Sequence, residues 1–110
     1  MAADVVFTAD SPWYTNSYSW HGIMEHALRD LDESARGEYA RYVNVVGVDF
    51  TFLPDAKAVE VARWFSGVIG RMLAEGEIGA SERGHAHVEE LLRKLHSEMQ
   101  VRDRRGQGLK

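Results

Sequence analysis

The groups in this chain able to do acid–base or metal chemistry are its five histidines and seventeen acidic residues, since it has no cysteine. That absence removes the thiol nucleophile, the thiolate zinc site and the disulfide framework at once. His21 and Glu25 stand four apart and share a helical face, while His26 falls in step with Asp30. A histidine beside a carboxylate is a common general acid–base set and equally an ordinary polar helix surface. His85 and Glu89 are also one turn apart, but two ligands do not make a zinc site, which takes three protein ligands plus water or four. His96 lies on the same flank, yet at about 1.5 Å per residue it is about 16 Å from His85. His87 falls on the other flank. The chain has no nucleophile elbow, phosphate loop or dinucleotide glycine fingerprint, and Gly76, Gly79 and Gly84 are too scattered to cradle a phosphate. The sequence therefore assigns no catalytic residue, no metal ligand and no cofactor.

The most distinctive local composition is residues 13–20, WYTNSYSW, where four rings alternate with Thr, Asn and Ser. Aromatic residues dominate core energetics, so some of these rings are expected to fold inward. Tyr and Trp mixed with Ser and Asn also make an adaptable recognition surface. Trp64 falls on the polar side of its helix, where it either lies beneath a neighbouring segment or serves as a contact residue. The candidate partner-binding set is thus Trp13, Tyr14, Tyr18 and Trp64. An alternative set, Tyr14, Tyr18, His21 and Glu25, would line the pocket of a small enzyme or ligand-binding domain.

These groups must be positioned by elements that the hydrophobic pattern outlines. Residues 55–73 are the longest clean helical pattern, with Ala58, Val59, Ala62, Phe65, Ile69, Met72 and Leu73 on one side and Gly76 as the expected C-cap. Val61 and Val68 widen that side to roughly half the circumference, more than the ~100° stripe of a surface helix, which predicts packing on two sides. Gly67 and Gly70, with Ala74, form a small-residue flank where another backbone could come close. An earlier helix is expected over 19–33, from Trp20, Ile23, Met24, Ala27, Leu28 and Leu31. A third, capped by Ser81, runs to about residue 101 on Val88, Leu91, Leu92, Leu95 and Met99. Strand character marks residues 4–9 and the alternating Val48, Phe50 and Phe52. Residues 38–46 fit either state and are read as strand, with Asn44 or Gly47 supplying a turn or bulge.

The expected fold is α+β: a small antiparallel sheet of two or three strands with three helices, in the order βαββαα, and a mostly α arrangement as the alternative. At 110 residues one domain over 1–101 is expected, with 102–110 a basic tail that frays. A 45% hydrophobic and 27% charged composition is that of an ordinary globular chain. The acidic start MAADVVFTAD does not read as a signal peptide, and no run approaches the ~20 apolar residues of a membrane span. With no cysteine, this suits the cytoplasm. A net charge of −4 argues against general nucleic-acid binding and suits a basic partner. The functional expectation is a non-enzymatic, protein-binding module of inhibitor or immunity type, with a homodimer seamed along the third helix as a further possibility.

Overall fold

The computed structural model describes residues 2–8, 10–76 and 81–108. The elements are β1 (Ala2–Val6), β2 (Trp13–Asn16), α1 (Ser17–Arg29), α2 (Glu33–Tyr39), β3 (Gly47–Asp49), a 3-10 turn (Phe50–Phe52), α3 (Asp55–Ala74) and α4 (Glu82–Gly108). The fold is α+β, with four helices among the described residues rather than the three expected. β1 is central, antiparallel to β2 and parallel to β3, so the sheet is mixed rather than purely antiparallel. The parallel pair follows from the connection. β2 runs back along β1, and the chain then passes through α1 and α2 and reverses once more, so β3 lies along the free side of β1 in the same direction as β1.

The expected strand over 38–46 is absent. Asp32 caps α2 by accepting from the Ala35 amide at 2.8 Å, and the helix carries residues 33–39. Arg36 then donates to the carbonyls of Leu28, Arg29 and Leu31 and ties α2 to the end of α1. No residue of α2 is buried, so it has no apolar stripe to betray it. The alternation of Val48, Phe50 and Phe52 also breaks. The Asp49 carboxylate accepts from both the amide and the hydroxyl of Thr51, a local side-chain turn that competes with extended chain. Phe50 is consequently buried and Phe52 is not.

α3 is the axis of the core, as its width implies. Val61, Phe65 and Ile69 are fully buried, each such side chain contributing ~1.5–3 kcal/mol. α4 packs along it through Val88, Leu91 and Leu95, so the stripe offered as a dimer seam is occupied within the chain. A side-chain carbon built on Gly67 or Gly70 meets nothing within 4 Å among the described residues, so none of their backbone comes close there. Ala3, Val5 and Phe7 close the core from the sheet side, where Phe7 stacks on Phe50 at 5.7 Å.

Residues 102–108, expected to belong to a basic tail, continue α4; residues 109 and 110 lie outside the described residues. Arg102 is only 4% exposed, because one turn away Glu98 gives it a buried carboxylate.

Candidate protein-interaction surface

The sheet has two unlike faces because side chains alternate along a strand. Val5 pairs with Trp13 and with Val48, and all three are buried toward the helices. Asp4 pairs with Tyr14 and Gly47, and Val6 with Asp49, so Asp4, Val6, Tyr14 and Asp49 share the other face. There Tyr14 is 58% exposed. Toward the β3 side this face dips into a concavity of about 470 Å³ lined by Asp4, Val6, Tyr42, Val46, Asp49 and Phe52 together with Arg41 and Asn44. Phe52 is 84% and Val46 64% exposed, with Val45 beside it similarly open.

Rigid supports carry these exposed apolar groups. Val45 and Val46 sit in the turn 44–47, closed by reciprocal backbone hydrogen bonds between Asn44 and Gly47 at 3.1 and 3.0 Å. The Asn44 side chain accepts from the Val46 amide, and its carbonyl accepts from the Trp20 indole at 2.7 Å. Gly47 has φ +123°, and a side-chain carbon placed there would lie 1.7 Å from the Asp4 carbonyl oxygen, so only glycine lets β3 lie against β1 here.

The turn bearing Phe52 is held from beneath by Arg102. Its guanidinium donates to the carbonyls of Phe50 and Leu53, to Asp55 Oδ1 at 2.8 Å, to Glu98 Oε2 at 2.9 Å and to Thr8 Oγ1. Glu98, itself 2% exposed, also accepts from the amide and hydroxyl of Thr8. Every guanidinium N–H is thereby used. A second concavity of about 400 Å³ opens beside this cluster, lined by Thr8, Thr51, Pro54, Asp55, Arg102 and Arg105. Since Arg102 has no donor left and Arg105 lies 3.8 Å from Asp55, we read the cluster as structural.

Each sheet edge carries one contact from the rest of the chain. On the β2 side, His87 Nε2 meets the Tyr14 carbonyl at 2.8 Å, and the Trp13 indole donates to the His87 carbonyl at 2.8 Å. The His87 ring also stacks on Trp13, centroids 4.6 Å apart. On the β3 side the Asn44 backbone holds Gly47.

The residues proposed from sequence divide. Trp13 is 2% exposed and belongs to the core, because it lies on the inward register opposite Val5. Trp20 is buried as well. Trp64 is half-buried, stacked between Tyr39 at 4.5 Å and its neighbour Phe65, so its face is already covered. Tyr14 and Tyr18 are exposed, Tyr18 to 90%. His21 and Glu25 approach to 3.3 Å on an open helix surface, and neither concavity above includes any of Tyr14, Tyr18, His21 or Glu25. His85 and Glu89 form a similar exposed pair at 3.6 Å. Among the described residues no three His, Asp or Glu side chains gather as a metal site would need, and no helix is long and apolar enough to cross a membrane.

Electrostatic shifts fall away from the concavity. A hydrogen bond from Lys94 at 3.0 Å is the main cause holding the Asp10 carboxyl below its ordinary range. Lys57 does the same for Glu60, helped by the Tyr39 hydroxyl, and the two carboxylates Glu38 and Glu60 raise Lys57. Burial, then the Glu60 hydrogen bond, pushes the Tyr39 phenol up. These are structural ties between helices and loops.

Phe52 and Val46 were missed because Phe52 was read as the third member of an inward alternation. The available signal was Asp49 two residues before Thr51, a side-chain turn pattern, and the frame Asn44-Val-Val-Gly47, a turn whose tip is apolar. Compared with known protein families, curated proteins and solved structures, the chain matches none.

Proposed function

We propose that this protein is a non-enzymatic binding module that docks on a partner protein through its open sheet face and so regulates or neutralises it, as inhibitors and immunity proteins do. The observation that carries the reading is Phe52, 84% exposed on a turn fixed by a buried arginine. Isolated exposed apolar residues are ordinary, whereas a group of them on one face marks an interaction site. Phe52 and Val46 line the same concavity, and Tyr14 stands across the strand pair from Asp4. Turn tips favour Gly, Asn, Asp, Pro and Ser, so two valines at 45 and 46 meet no need of the turn itself. The mounting is pre-organised, which lowers the ordering cost of binding. Fully burying the Phe52 side chain against a partner is worth ~1.5–3 kcal/mol.

The test is affinity capture from a lysate of the source organism, comparing wild type with Phe52→Ser/Tyr14→Ser at matched folded concentration. A protein held by the wild type and released by the double variant, whose melting temperature is unchanged, supports the reading. Capture that is indifferent to both substitutions refutes it.

A further inference from the structure

We infer that the concavity beside β3 selects a partner segment presenting an arginine or lysine between apolar side chains; this rests on the docking reading above and names its chemistry. The floor and wall hold two carboxylates, Asp4 and Asp49, set among Val6, Val46, Tyr42 and Phe52. Asp4 is half-buried on the outer register of the central strand and has no ion-pair or hydrogen-bond partner for its side chain among the described residues. Asp49 spends Oδ1 on Thr51, and its Oδ2 has no partner among the described residues. Arg41, on the same lining, is exposed and pairs with neither. Leaving a half-buried carboxylate unpaired between apolar walls is unfavourable, and a guanidinium or ammonium brought in by a ligand relieves it. The apolar side chains on either side accept the aliphatic stem of that cation and its hydrophobic neighbours. The chain's net charge of −4 favours the approach of a basic partner at longer range.

The probes are three blocked peptides, acetyl-Gly-Leu-Xaa-Leu-Gly-amide, with Xaa as Arg, Gln or Glu, titrated at millimolar concentration into the isotope-labelled full chain and followed by backbone amide NMR. The arginine peptide is expected to shift the amides of Asp4, Val6, Gly47, Val48, Asp49 and Phe52, and the glutamate peptide is not. Asp4→Asn should weaken the arginine peptide by roughly fivefold, the upper end for a partly exposed ion pair, and added salt should weaken it further. Equal shifts at these amides from all three peptides overturn the charge selection while leaving the face as a binding surface. Shifts confined to other regions, or none from any peptide, overturn both readings. Concentration-dependent shifts at the same amides without peptide mean that a second copy of the chain occupies the face, which also overturns the inference.

Discussion

Replacing Arg102 by methionine tests whether the buried cation fixes the turn that presents Phe52. The substitution keeps an apolar stem in a site 4% exposed and deletes every guanidinium donor. Glu98 retains its bonds from the Thr8 amide at 2.8 Å and hydroxyl at 2.7 Å but loses its cation. The carbonyls of Phe50 and Leu53 lose a charged donor as well. Breaking a buried ion pair from one side costs ~3–5 kcal/mol. That is about a fifth or more of the ~5–15 kcal/mol that keeps a domain folded. At ~4 °C per kcal/mol for a chain of this size, the melting temperature should fall by ~12–20 °C. Urea unfolding at neutral pH measures the loss. Adding Glu98→Gln on the Arg102→Met background removes the stranded charge and should restore ~1–3 kcal/mol, the penalty of an unsatisfied buried group. A cycle of the four proteins isolates the coupling between the two side chains. Backbone amides of Thr51 and Phe52 should exchange faster in Arg102→Met while those of Val68 and Ile69 track global stability. A loss under ~1 kcal/mol would refute the claim that a buried pair is being broken. So would a double variant weaker than Arg102→Met alone, since Glu98 would then be stable without its cation.

The other perturbations separate core from surface. Gly47→Ala should cost at least ~2 kcal/mol or prevent soluble folding, since it combines strain at φ +123° with a backbone clash; Gly67→Ala, in open space on α3, should instead raise stability by ~0.5–1 kcal/mol, both read by thermal melts. Trp13→Ala should lose ~3–5 kcal/mol, as buried aromatic truncations do, while Phe52→Ser stays within ~0.5 kcal/mol of wild type; equal effects on melting would refute the division between them. Asp10, whose carboxyl is held low in the folded chain chiefly by Lys94, stabilises fully above the ordinary carboxylate range and loses that contribution as pH falls through its lowered value. Asp10→Asn should therefore flatten the acid side of the stability–pH curve below about pH 4, and an unchanged slope would show the Lys94 contact is too solvated to matter.

Side-chain periodicity made the helices legible in proportion to what they bury. α3 was readable nearly to the residue because Ala58, Ala62, Phe65, Ile69 and Met72 all face the core. The N-cap of α4 was readable too: Ser81 accepts from the Gly84 amide at 3.0 Å. α2 was not, since it is held by the Asp32 cap and by Arg36 across a gap, neither of which leaves a hydrophobic trace. The end of α4 misled for the opposite reason. A run rich in arginine reads as solvated, and only the fold shows that Glu98, Thr8 and two carbonyls wait for Arg102. In residues 13–20 the ring count was informative but the assignment of rings was not. A strand register decides that Trp13 faces in and Tyr14 out, and register depends on β1, which the local sequence does not contain.

The aromatic rings of residues 13–20 divide between core and surface. Both tryptophans of that stretch fit inside, each with its indole N–H on a carbonyl, His87 for Trp13 and Asn44 for Trp20. Those two bonds tie β2 to α4 and α1 to the 44–47 turn, so the buried rings help build the surface instead of forming it. The apolar excess appears one strand away, at Val46 and Phe52. Folding does not require it there: the turn 44–47 is closed by backbone and Asn44, and the 3-10 turn by Asp49, Phe50 and Arg102. A serine at 52 would satisfy every one of those contacts and remove an aggregation liability. The side chain that the fold supports most firmly and uses least is the one expected to meet another molecule, and Asp4, which lines the same concavity and has no side-chain partner among the described residues, is expected to favour a cation there.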